Sequence, residues 1–132
     1  METTTHRKMA VMQKNGRNPG RALRELMFEA LKSEAVKLNQ LAAEALALVG
    51  PVVVRELVIE LLTSKKVGYR VRLLGVIETI GEVSNPIDHM ELFNLTDDKD
   101  SRVREAAVRT INALRAYNSK QQGSVQAAEQ LC

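Results

Sequence analysis

Aromatic residues are scarce: the 132-residue chain has two tyrosines, two phenylalanines and no tryptophan. A mechanism built on a cage or platform of rings is poorly supplied, so stacking chemistry is not expected. The single cysteine, Cys132, cannot close an internal disulfide, which fits a reducing compartment. It stands at the last position rather than at the head of a prenylation box. The longest nearly apolar run, Ala45 to Val54, is broken by Gly50-Pro51 and is too short to cross a bilayer. The N-terminus has no apolar signal core. A cytoplasmic protein is expected, and the Asn94-Leu95-Thr96 sequon then reads as accidental.

Catalytic and metal-binding signatures are missing too. His6, His89 and Cys132 are too scattered to form a zinc site. The run Asp97-Asp98-Lys99-Asp100 invites comparison with a calcium loop, but it lacks the central glycine. Its twelfth position is Val108 or Arg109 instead of glutamate. Those carboxylates are expected to cap the following helix. No Gly-rich phosphate loop, nucleophile elbow or paired catalytic motif is present. Glu78 and Glu82, one turn apart, read as surface charges. No enzyme activity, cofactor, metal or small-molecule substrate is indicated.

Charge is unevenly placed. The formal +3 comes from 19 Lys and Arg against 16 Asp and Glu. Residues 1–24 hold Arg7, Lys8, Lys14, Arg17, Arg21 and Arg24 against Glu2, leaving the rest slightly acidic. A basic arm attracts phosphates or acidic surfaces with little selectivity. Few large apolar side chains precede the turn cluster Asn15 to Gly20, so residues 1–19 are expected to be a flexible arm.

From Arg21 onward, apolar residues recur three and four apart. Leu23, Leu26, Met27, Ala30 and Leu31 mark a first helix to Lys32. Leu38, Leu41, Ala42, Ala45, Leu46 and Val49 mark a second, from Glu34 to Val49, which Gly50-Pro51 stops. Residues 51–63 carry Val54, Leu57, Val58, Leu61 and Leu62. A fourth helix, Tyr69 to Glu82, presents Leu73, Val76, Ile77 and Ile80. Pro86 opens a fifth with Met90, Phe93 and Leu95 inward. Ser101 is the expected N-cap of a sixth, with Val103, Ala107, Val108, Ile111 and Leu114. A polar tail follows at 117–132.

Displacing the chain on itself by 31 residues sets Leu38 on Tyr69, Ala42 on Leu73, Ala45 on Val76, Leu46 on Ile77 and Gly50 on Gly81. A further shift of 34 reaches Val103, Ala107, Thr110, Ile111 and Arg115. Three helical hairpins with matching core positions are the expected architecture of residues 20–116.

The segment Asn85-Pro86, Leu92 to Leu95, Asp98, Asp100, Val103-Arg104 and Glu105 to Val108 resembles a HEAT repeat, in particular the short HEAT-like repeats of the phycobilisome lyases. The resemblance implies an all-α, right-handed α-solenoid of antiparallel hairpins and an Asp98–Arg104 pair between helices. The middle unit departs from the pattern with Tyr69-Arg70 and Ser64, and the first with Leu38-Asn39 and Ser33. A lyase-associated or chaperone-like role rests on this resemblance alone.

Three hairpins are near the minimum for a shared core, so company is expected, as a protein partner or a second copy. The leading expectation is a non-catalytic interaction module or scaffold whose concave face is formed by the second helices. Its rim candidates are Lys37, Gln40, Glu44, Arg72, Gly75, Glu78, Glu105, Arg109 and Asn112. Leu41, Val71 and Leu74 are either contact residues or core. Gly75, inside a helix, either permits close packing or bares backbone to a partner, the first being favoured. The rival is phosphate-backbone binding by the arm, Lys65-Lys66, Arg70, Arg72, Arg102, Arg104, Arg109 and Arg115. The HEAT-like DNA glycosylases are an enzymatic precedent, but their aromatic-lined site is not supplied here.

Overall fold

A computed structural model describes residues 20–131, with side chains described for residues 20–116. The expected arm, residues 1–19, lies outside the described residues. Six α-helices follow one another: α1 (Arg21–Lys32), α2 (Val36–Val49), α3 (Val54–Thr63), α4 (Val67–Ile80), α5 (Pro86–Asn94) and α6 (Ser101–Leu131). Short 3₁₀ turns at Pro51–Val53 and Leu95–Asp97 lead into α3 and follow α5. The described residues contain no strand. The β-prone Val52-Val53-Val54 is absorbed into the 3₁₀ turn and the start of α3.

The helices pack pairwise, α1 on α2, α3 on α4 and α5 on α6. α4 also lies between α2 and α6, and α3 against α5. One apolar core runs through all of them. Two of the position sets equated by the self-alignment share one environment: Ala42, Leu73 and Ala107 are fully buried, as are Leu46 and Ile77, with Ile111 nearly so.

The ends of the second and fourth helices show why those residues stop them. Gly50 and Gly81, 31 residues apart, have φ of 84° and 72°, a region that costs any residue with a Cβ. At Gly81 the amide donates to the Ile77 carbonyl as the chain turns away. This places the end of α4 at Ile80, two residues before the expected Glu82. α5 opens as its Asn-Pro signal implies, with Asn85 Oδ1 accepting the Ile87 amide at 2.9 Å. The cap of α6 is Asp100, not Ser101: its carboxylate accepts the Arg102 amide at 2.9 Å and its carbonyl accepts the Arg104 amide. The acidic run therefore caps the helix as expected, one residue earlier. α6 continues past Tyr117 to Leu131 as helix.

Two inward faces differ from expectation. On α5, Met90 and Phe93 are exposed, while Leu92 and Asp88 are buried and Leu95, in the turn that follows, is nearly so. Asp88 and Leu92, one turn apart, share the inward face, where Leu92 joins the core and Asp88 makes an ion pair with Arg55 of α3. On α6, Val108 is exposed, and Ala106 and Thr110 are buried instead. Thr110 Oγ1 lies 2.9 Å from the Ala106 carbonyl and 3.1 Å from that of Leu74. Its one proton is shared between its own helix and α4, so this polar group is buried satisfied.

Arginines join the first helices of the hairpins. Arg24 of α1 donates to both carboxylate oxygens of Glu56 on α3, at 2.9 and 2.8 Å. Arg55, the residue before Glu56, reaches Asp88 on α5. Each link carries a charge-assisted bond from one hairpin to the next.

Candidate functional site

α2 and α4 lie side by side, and where their side chains are small the surface is hollow. Ala43 and Ala47 of α2 face Gly75 and Val76 of α4 in a groove of about 300 Å³. Asn39, Gln40, Glu44, Arg72 and Thr79 form its remaining walls. A Cβ placed on Gly75 would meet nothing within 4 Å. The close packing favoured for this glycine is therefore absent, because α2 contributes only alanines at that level. Its carbonyl accepts the Thr79 hydroxyl at 2.9 Å, so the bare surface at Gly75 is Cα and amide plane rather than a free acceptor.

Arg72 closes the end of the groove nearest the helix starts. One guanidinium nitrogen donates to the Leu31 carbonyl at 2.8 Å, and the other lies 3.8 Å from Glu34. The head is thus anchored on the C-terminal end of α1, where carbonyls lack helical partners, and its aliphatic stem is left to form a wall. Glu44 is exposed on the opposite rim. The result is an apolar floor with a fixed cation at one end and a carboxylate at the side.

Of the nine rim candidates, Gln40, Glu44, Arg72 and Gly75 line this groove. Glu78 and Arg109 approach to 3.9 Å between α4 and α6, so Glu78 pairs with arginine rather than with Glu82. Lys37, Glu105 and Asn112 are exposed and line no groove with the other four. Leu74 is core, wholly buried, while Leu41 and Val71 are part-buried against it. The reading of the sequence passed over Asn39, Ala43, Ala47, Val76 and Thr79. A signal was present in the register: Ala43 takes the place that Leu74 and Val108 hold in the later hairpins, and Gly75 the place of Glu44 and Arg109.

Of the six arginines proposed as a phosphate track, Arg70, Arg72 and Arg104 are part-buried and held by bonds within the fold, while Arg102, Arg109 and Arg115 are exposed. Arg70 donates to the Leu61 carbonyl at 3.2 Å and to Asp98 at 3.0 Å. Arg104 donates to the Asp98 and Lys99 carbonyls at 2.8 and 3.0 Å, and Arg102 pairs with Asp100. The Asp98–Arg104 carboxylate pair implied by the family resemblance is not formed: Arg104 caps backbone, and the Asp98 carboxylate faces Arg70. Burial would raise the Asp98 carboxyl, but the Asp100 amide and the Arg70 guanidinium outweigh it and hold it below its ordinary range. Arg102 likewise holds the Asp100 carboxyl low, through its side chain and its amide.

A second polar cluster ties α1, α3 and α4. The Tyr69 hydroxyl donates to Glu60 Oε2 at 2.7 Å, and Lys32 lies 3.8 Å from Glu60 and 5.4 Å from the Tyr69 ring centroid. Burial first, and then the Glu60 carboxylate, push the phenol well above its ordinary value.

Among the described residues, no group of three or more His, Cys, Asp or Glu side chains is placed to hold a metal ion. No described helix is long and apolar enough to cross a membrane. The chain matches no family model, no curated protein and no solved structure.

Proposed function

We propose that this protein is a non-catalytic interaction module, a short HEAT-like stack of three hairpins that binds a protein segment in the groove between α2 and α4. The observation that carries the reading is the convergence of Gln40, Glu44, Arg72 and Gly75 around an apolar floor of Ala43, Ala47 and Val76. The serial packing of α2, α4 and α6, each backed by the helix before it, supports the stacked arrangement. Such second helices are the inner surface of a HEAT-like stack, which makes the groove concave-facing. An anchored arginine and a rim carboxylate orient a bound segment and set its on-rate, while the floor contributes apolar contact. The commitment of Arg70, Arg72 and Arg104 to intramolecular bonds favours this reading over a phosphate track along the same helices.

The test is retention of cellular proteins on immobilised full-length chain at low and moderate salt, with Gly75→Trp alongside. The variant fills the groove where a side chain meets open space. A defined protein held by the native chain in moderate salt and lost with Gly75→Trp supports the module. Retention of nucleic acid alone, vanishing as salt rises, overturns it.

A further inference from the structure

A second surface, on the far side of α5, is independent of the groove. Asp88 marks the side of α5 that faces α3, through Arg55. Met90 lies about 200° around the helix from Asp88, and Ile87 and Phe93, three residues to either side, complete one stripe. These three are 55%, 59% and 52% exposed. Val108 of α6 has the same orientation, about 200° from the Ala106 and Thr110 that face α4, and is 46% exposed. Leu74, its equivalent one hairpin earlier, is wholly buried because α6 covers it. Nothing among the described residues covers Val108 or the stripe. The three residues of the stripe expose on the order of 300 Å² of apolar surface, at the lower end of the size where a patch marks an interaction site and under half of what one partner buries in a standard interface.

Beside the stripe is a hollow of about 480 Å³ lined by Val83, Ser84, Pro86, His89, Met90 and Phe93. Pro86, His89, Met90 and Phe93 stand at positions i, i+3, i+4 and i+7, the four-cornered hole that receives a knob from a facing helix. If α5 meets its own copy antiparallel, about a two-fold axis near Met90, the rotation carries Phe93 to the side and level of that hole. Each ring is then a knob for the other copy's hole, and Met90 meets Met90 at the axis. Ile87, Met90 and Phe93 are themselves uncharged; Asp88 is buried in its ion pair, and Glu91, the other carboxylate of α5, borders the stripe about 40° from Ile87 and about 100° from Met90. Surface, hole and knob therefore all belong to one helix, the condition for an isologous contact.

We propose that the chain forms a two-fold dimer through α5, with Phe93 of each copy seated in the Pro86/His89/Met90 hollow of the other. The test is sedimentation equilibrium of the full-length chain over a concentration series, with no partner added, so that its outcome is separate from that of the groove. The native chain is expected to pass from monomer to dimer, and Phe93→Glu to raise the dissociation constant by about tenfold or more. Leu48→Glu, at an exposed site on α2, should leave the dimer unchanged. Met90→Cys in a Cys132→Ser background should give a covalent dimer under mild oxidation, a readout that holds even if Phe93→Glu disturbs folding. A native chain monomeric throughout, open-ended polymers, loss of association with Leu48→Glu, or failure of the Met90→Cys cross-link each overturns the proposal.

Discussion

Asp98 takes its charged hydrogen bond from Arg70 of the preceding hairpin, at 3.0 Å, while Arg104, six residues further on, donates only to the backbone carbonyls of Asp98 and Lys99. Both charged groups of the Arg70 pair are mostly buried, at 14% and 13% side-chain exposure. Arg70→Ala strands the carboxylate and leaves the Leu61 carbonyl without its donor. An unfolding free energy about 2 kcal/mol lower is expected, read by urea denaturation.

The same pair gives a pH signature. The Asp98 carboxyl is held below its ordinary value of 3.8, so the folded state binds that proton less readily than the unfolded chain. Its contribution is complete above the ordinary value and is lost as pH falls through the lowered one. Native stability should decline with acid below about pH 4, and Arg70→Ala should decline less steeply there. Equal slopes for the two proteins would assign the acid sensitivity elsewhere.

Arg55 and Asp88 carry a related expectation for the outer helices. Asp88 is almost wholly buried and Arg55 about half exposed, so Arg55→Ala leaves a buried carboxylate without its cation. A loss of about 3 kcal/mol is expected. Arg24→Ala, whose partner Glu56 is more open to water, should cost about 1 kcal/mol. Thermal melts of the two variants side by side check the order.

Tyr69 supplies the alkaline counterpart. Its hydroxyl is held by Glu60 and its ordinary value is 10.0, from which it is raised in the fold. A group whose folded value is raised stabilises fully below the unfolded value and loses that contribution as pH rises above it. The native chain should therefore lose stability above about pH 10, and spectrophotometric titration should show Tyr69 ionising only with unfolding. Glu60→Gln removes a repelling charge and should bring that ionisation to lower pH.

What could be read from the sequence follows from what physics repeats locally. The periodic stripes located all six helices, and the register of 31 matched Ala42 with Leu73, which share full burial, and Gly50 with Gly81, which share a positive φ. The inward face of α5 could not be read this way. Met90 and Phe93 are the larger apolar groups, yet the face carrying Leu92 is the inward one, and its Asp88 finds a partner in Arg55, 33 residues away in sequence. The carboxylate links Arg24–Glu56 and Arg55–Asp88 span 32 and 33 residues and leave no local trace. Of the groove, the polar rim was legible as outward helix positions. The floor was not, because alanine at 43 and 47 reads equally as core until the neighbouring helix is seen to offer only Gly75 and Val76.

Two glycines of α4 and its end separate stability from binding. Gly81 lies at φ 72°, where an added Cβ costs about 1 kcal/mol, so Gly81→Ala should melt about 4 °C lower. Gly75 is helical, inside α4, with open space where its Cβ would be. Gly75→Ala therefore removes unfolded-state freedom without a clash, and should raise stability by roughly 0.5–1 kcal/mol. A residue whose replacement by alanine strengthens the fold is not held there by folding. If the groove binds a segment against the backbone at Gly75, the melting temperature and the affinity should move in opposite directions as the side chain grows from glycine through alanine to leucine. A rise in stability with no loss of binding across that series would remove Gly75 from the contact surface.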